Sequence, residues 1–133
     1  MTGEANADVA LEFLRAFWRG DVAAATVFAT PDAKFVFARS LPYPRECPLP
    51  EALRMIVDGL FARFDPPGRF EVTVRHAVGA GDHVTVEYSA AGRLDNGRDY
   101  ANDYVMAFAF RDGKIAEQRA YTDTLHLSRL FGP

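Results

Sequence analysis

The densest set of side chains able to do chemistry lies in the last third of the chain. Between Asp99 and Phe110 the residues alternate in size. Tyr100, Asn102, Tyr104, Met106, Phe108 and Phe110 share one face of a strand, while Ala101, Asp103, Val105, Ala107 and Ala109 share the other. Bulky residues belong on the covered, concave side of a curved sheet. Asn102 is therefore expected inside, where an amide among apolar neighbours needs hydrogen-bond partners. In the next strand Ile115, Glu117, Arg119, Tyr121 and Asp123 share a face. If Ile115 and Tyr121 point to the core, Glu117, Arg119 and Asp123 point there too, and ionised groups are kept inside only when paired, hydrogen-bonded or employed.

A carboxyl group in an apolar pocket has its charged form disfavoured, whereas a neighbouring guanidinium favours it. The candidate catalytic set is thus Asp123, Asn102 and Arg119. Asp123 would give or take a proton, and Asn102, Tyr104 and Tyr121 would donate hydrogen bonds to a developing enolate. Each also has a plainer reading. Asp123 is placed to cap a short terminal helix, Glu117 and Arg119 to form a structural ion pair, and the tyrosines to fill the core.

Eleven Phe, five Tyr and one Trp in 133 residues are a heavy aromatic load that can either wall a pocket or fill an interior. The candidate ligand-binding residues are Trp18, Phe37, Phe61, His76, Tyr88, Tyr100, Tyr104, Met106, Glu117 and Tyr121. His76 shares a strand face with Phe70, Val72 and Val74, and either looks into the cavity or is a satisfied interior histidine. His83 lies at a turn and His126 on the last helix, so no metal-ligand spacing arises. The glycines sit in hairpin turns rather than in a phosphate-binding loop, and no cofactor is expected. Cys47, alone among prolines, reads as incidental.

These residues must be positioned by a readable series of elements. Val9, Ala10, Phe13, Leu14 and Phe17 recur at helical spacing from Ala7 to Arg19, with Gly20 as the stop and Asp21 as the cap of a second short helix ending near Phe28. Ala33 to Ala38 reads as a strand. Arg39 to Pro50, with four prolines, reads as a stiff loop that either rims a pocket or simply connects. Pro50 to Phe64 is the clearest helix, its apolar residues following the i, i+3, i+4, i+7 pattern. The period then changes to two. Strands are expected over Phe70 to Val78, His83 to Leu94, Asp99 to Phe110 and Lys114 to Thr122, with Asn-Gly and Asp-Gly among the turns, and one or two helical turns follow from Leu125 to Phe131. Three helices before an antiparallel meander make an α+β arrangement, in a single domain spanning residues 1–133.

Composition bounds the partners. A net charge of -3 with scattered basic residues gives no footprint for nucleic acid or anionic lipid. No apolar run approaches the length of a membrane span and no secretory signal is evident, so the expected location is cytoplasmic.

The stretch Tyr100-Ala101-Asn102-Asp103-Tyr104, the turn Asp112-Gly113-Lys114-Ile115 and the segment Arg119-Ala120-Tyr121-Thr122-Asp123 resemble the Y-x-N-x-Y, D-G-K-I and R-x-Y-x-D pattern of the SnoaL-like branch of the NTF2-like superfamily. Phe17-Trp18-Arg19-Gly20-Asp21 and Pro31-Asp32-Ala33 are similar to that family's opening. The resemblance implies a cystatin/NTF2-like cone, with three N-terminal helices on a strongly curved, mostly antiparallel sheet, a hydrophobic pocket and a homodimer formed through the sheet face. Relatives include polyketide cyclases, ketosteroid isomerases and epoxide hydrolases.

Residue by residue, the isomerase Tyr and Asp are replaced here by Phe17, Trp18, Phe35 and Phe37. The epoxide hydrolase Asp-Arg-Asp relay is met only by Arg119 and Asp123. The single carboxylate of a cyclase is met by Asp123. The resemblance thus implies a protein that binds, and by acid-base chemistry converts, a small apolar molecule. The alternative is a non-catalytic ligand-binding or dimerisation module. An open cavity of roughly 300 Å³ or more holding the Asp123 carboxylate and the Asn102 amide favours the first, and a filled cone the second.

Overall fold

The computed structural model describes residues 2–132. Helix α1 (Gly3–Trp18) begins where the Thr2 hydroxyl accepts from Ala5 N and ends before Gly20, whose positive φ turns the chain. Asp21 caps α2 (Val22–Thr26) by accepting from Ala24 N. Strand β1 (Ala29–Val36) starts four residues earlier than its Phe-rich end suggests. The proline-rich segment is not all loop, because β2 (Glu46–Pro48) pairs antiparallel with β1 at the sheet's edge. An edge is where proline is tolerated, since it lacks only a donor that no strand would use.

Helix α3 (Leu49–Asp58) ends sooner than its apolar stripe. Gly59 interrupts it, and a short 3-10 turn, Phe61–Arg63, carries the stripe on to Phe64. The periodic residues still reach the core, but by a different backbone. Strands β3 (Glu71–Ala80), β4 (His83–Arg93), β5 (Asp99–Arg111) and β6 (Lys114–Thr122) form the expected meander, and α4 (Thr124–Phe131) follows.

The sheet order is β2-β1-β6-β5-β4-β3, with β1 parallel to β6 and every other pairing antiparallel. The turn after β5 needs left-handed backbone at both Asp112 and Gly113, a demand that this pair meets. Two bulges set which side chains face inward. Phe110 pairs with Ile115 but Ala109 with Glu117, so Ala116 is an extra residue in β6. Val74 pairs with Tyr88 but His76 with Glu87, so Arg75 is extra in β3. A one-residue insertion carries everything beyond it to the other face of its strand.

Helix α1 lies in the concavity and buries Phe13, Leu14 and Phe17 against Val84, Val86, Phe108, Phe110 and Ile115. Phe13 and Phe108 meet edge to face with centroids 5.8 Å apart. Truncating a fully buried ring such as Phe13 to Ala would cost about 3–5 kcal/mol. A second cluster, Phe64, Ala90, Leu94 and Tyr100, packs beneath α4. One half of the cone is therefore solid and the other holds a cavity.

Candidate ligand-binding site

The cavity has a volume of about 480 Å³. Its floor and helical side carry Phe17, Trp18, Phe35 and Phe61, its sheet wall carries Tyr88, Tyr100, Tyr104 and Met106, and its mouth is bounded by Ser40, Tyr43, Arg63, Leu127 and Phe131. The rings brace one another. Trp18 meets Tyr88 at 4.8 Å, Tyr88 stacks on Tyr104 at 5.1 Å, and Phe64 meets Tyr100 at 5.1 Å. Such contacts fix the rings as walls rather than letting them collapse into the hollow.

Polar groups on the sheet wall run in one row. The Tyr100 and Tyr104 hydroxyls hydrogen-bond each other. The indole N–H of Trp18 is buried and completes no hydrogen bond among the described residues. It lies near enough to the Tyr88 hydroxyl to offset slightly the effect of burial on that phenol, though short of good bond geometry. Burial pushes the Tyr88, Tyr100 and Tyr104 hydroxyls above their ordinary range, because a phenolate would be poorly solvated there. All three are therefore neutral near pH 7 and act as hydrogen-bond donors. Among the described residues no Asp, Glu or His side chain lines the cavity.

Helix α4 closes the mouth with Thr124, Leu127, Ser128 and Phe131, yet none of its residues is fully buried. Polar bonds supplement the partly buried contacts of Leu127, Leu130 and Phe131. Arg98 donates to the carbonyls of Arg129, Leu130 and Gly132, and Asn96 donates to that of Leu130. The His126 ring nitrogen lies 2.7 Å from the Ala101 carbonyl, and the Ser40 hydroxyl donates to Thr124. Arg63 spreads its guanidinium 5.0 Å from the Phe131 ring centre and is fixed by Asp95.

Of the residues singled out from the sequence, Trp18, Phe37, Phe61, Tyr88, Tyr100, Tyr104 and Met106 lie on the cavity surface. The others do not. Because Ala116 is bulged, Gln118, Ala120 and Thr122 turn inward, whereas Glu117, Arg119 and Tyr121 turn to the convex face. There Arg119 Nε pairs with Glu117 at 2.6 Å, and Tyr121 is 48 % exposed. Asp123 is exposed and caps α4, its Oδ1 accepting from His126 N at 3.0 Å. The proposed catalytic carboxylate thus lies outside the cavity.

Asn102 is buried as expected, but its amide donates to the Asp123 carbonyl and its oxygen accepts from Asp103 N. It ties the start of α4 to β5 and is not part of the cavity surface. His76, carried outward by the Arg75 bulge, faces Glu87 at 3.9 Å and is half exposed. Cys47 lies on edge strand β2, its thiol pushed up by partial burial. Among the described residues no cluster of three or more His, Cys, Asp or Glu side chains is arranged to hold a metal ion, and no helix is long and apolar enough to cross a membrane.

Sequence reasoning missed Gln118, Thr122, Arg63, Leu127 and Phe131. The last two carried a signal, since Leu127, Leu130 and Phe131 form an apolar stripe on a terminal helix that needs something to cover. Gln118 carried none, because β6 alternates without hydrophobic contrast between its faces.

A steeply curved sheet wrapped around a helix, with an aromatic cavity at the open end of the cone, defines a class of cone-shaped α+β folds. A profile of the SnoaL-like domain matches residues 10–118. The chain belongs to the SnoaL-like family. Solved structures agree on the fold. An NTF2-like protein from Burkholderia xenovorans LB400 is 24% identical with a TM-score of 0.74, 97% of each chain being covered. TerC, co-crystallised with polyporic acid, is 18% identical with a TM-score of 0.80, covering 95% of this chain and 97% of its own. A candidate SnoaL-like polyketide cyclase from Jannaschia sp. CCS1 is 21% identical with a TM-score of 0.79, covering 98% and 94%. No curated protein matches the chain.

Proposed function

We propose that the protein binds a small, largely apolar molecule carrying an acceptor oxygen, with the chain working as one domain. The observation that carries this reading is the cavity of about 480 Å³ whose aromatic wall presents a row of donors. That volume falls within the range of about 300–1,000 Å³ typical of ligand sites. The buried Trp18 N–H, which has no hydrogen-bond partner among the described residues, is a donor left for a guest, so the wall favours a carbonyl or similar oxygen.

Binding is supported more strongly than acid-base conversion. Abstracting a proton needs a base within hydrogen-bond reach. The described cavity residues supply neutral tyrosines instead, and Asp123 sits outside. We further propose a homodimer through the convex face of β4–β6. This face exposes Tyr121 beside Val105, Ala107 and Ala109, and its ion pairs, Arg75 with Glu87 and Arg119 with Glu117, are already matched within the chain.

Trp18 is the sole tryptophan and lines the cavity, so its fluorescence reports occupancy. The compound found with TerC gives a first ligand to titrate. Polyporic acid, followed by neutral aryl ketones of similar size, is expected to quench Trp18 saturably at one molecule per chain and to raise the melting temperature. A linear, unsaturable response to every compound would falsify the binding reading.

A further inference from the structure

At the inner end of the cavity, where the hollow half of the core meets the solid half, one polar side chain is left almost without partners. Gln118 is fully buried. Its Nε2 meets the Sδ of Met106 at 3.3 Å, and its Oε1 has no partner among the described residues. A thioether is a weak acceptor. Exchanging the amide's oxygen and nitrogen would set the carbonyl against sulfur and leave the NH₂ unpartnered, so neither assignment relieves the site. Buried polar side chains are hydrogen-bonded in the large majority of cases, and an exception calls for a physical explanation.

Its position supplies one. Gln118 lies opposite Phe35 on β1 and Phe108 on β5. Phe35, Met106 and Ala120, the last on the same face of β6, all border the cavity, whereas Phe108 belongs to the solid core. The amide is therefore one side chain behind the cavity wall. That side chain is an unbranched methionine, which repacks more readily than a branched or aromatic residue.

We infer that Gln118 is a concealed recognition point, reached when Met106 swings aside, for ligands whose inner end both donates and accepts hydrogen bonds: a primary carboxamide, a lactam or a neutral carboxylic acid. The inference rests on the binding reading above and adds to it the chemistry of the ligand's buried end. A primary amide side chain offers one acceptor oxygen and two donor hydrogens. A ketone or ether at the inner end satisfies only Nε2 and leaves Oε1 orphaned. An ionised carboxylate also only accepts, and its desolvation would have to be offset.

4-Acetylbiphenyl and biphenyl-4-carboxamide differ by a methyl in place of the amide NH₂, and both can be titrated against the intact chain by Trp18 fluorescence. Wild type is expected to bind the carboxamide roughly tenfold more tightly than the ketone. Gln118→Leu should abolish that preference, the carboxamide losing more affinity than the ketone, and Met106→Ala should widen it by uncovering the amide. No preference in wild type, or the same preference in Gln118→Leu, overturns the inference and leaves the cavity reading standing. Binding of neither compound by wild type or either variant removes both. If Gln118→Leu does not fold, Met106→Ala decides alone, and an unchanged preference there overturns the inference.

Discussion

Tyr88, Tyr100 and Tyr104 hold their protons more tightly in the folded protein than an unfolded chain would, since burial penalises the phenolate. Above about pH 10, the ordinary tyrosine value, the folded state therefore binds more protons than the unfolded one. Unfolding free energy then falls as pH rises from that value through the higher folded ones, and this contribution is intact below it. Phenolate absorbance should show three of the five tyrosines ionising only together with loss of structure. Their ionisation in a still-folded protein would mean that water already reaches the wall. Asp123 gives a second residue-scale prediction. Asp123→Asn keeps an N-cap while removing the acid, whereas Asp123→Ala removes both, at a cost of about 0.5–2 kcal/mol. The Asn variant should match wild type in melting temperature and ligand binding and the Ala variant should melt lower. A loss of function in the Asn variant alone would restore the carboxyl to a chemical role. Strand parity taken from Ile115 puts Asp123 inside, because nothing in Ile115-Ala116-Glu117 betrays that Ala116 is extra. Asn102 is buried, as the alternation of bulky and small residues along β5 indicates, but it does not reach the cavity surface.

At the scale of elements, α4 is the part most readily opened. None of its side chains is fully buried, and beside the partly buried Leu127, Leu130 and Phe131 its attachment depends on hydrogen bonds at exposed or half-buried sites, the kind that local unfolding breaks first. Removing the three bonds from Arg98 should loosen it selectively. In Arg98→Ala, amide hydrogen exchange is expected to quicken across residues 124–131 with the strands unchanged, and ligand association and dissociation should both accelerate while the equilibrium affinity moves less. A uniform rise in exchange over the whole chain would show α4 to be integral to global stability and not a separate cover. The helices and meander were legible because their periods differ, 3.6 against 2, and because Gly20, Pro50, Asn96-Gly97 and Asp112-Gly113 mark the boundaries. Three features were not. Strand β2 hides in a proline-rich segment, the break at Gly59 lies within an unbroken apolar stripe, and a bulge such as Arg75 is decided by pairing with β4 and not by its own residue type.

For the whole molecule, the two faces of the sheet have separate physical tasks. The concave face spends its large residues on walls around a hollow. Composition could not distinguish that from a filled core, since the same rings serve either purpose, whereas the β6 bulge puts the smaller Thr122 opposite Tyr104 and Ala120 opposite Met106 on the cavity side. The convex face carries small and half-buried residues with its charges paired. In a two-fold symmetric dimer each residue near the axis meets its own copy, so a cation introduced there opposes its equal across the interface. Val105 lies at the centre of this face, with its side chain directed away from the cavity because Tyr104 and Met106 flank it in β5. Light scattering on the separated protein should give twice the chain mass for wild type and the single-chain mass for Val105→Arg, while Trp18 still responds to polyporic acid in both. A wild type of single-chain mass removes the dimer. Loss of the Trp18 response in a folded Val105→Arg monomer would mean that the cavity keeps its shape only when the convex face is covered, making assembly a condition of binding.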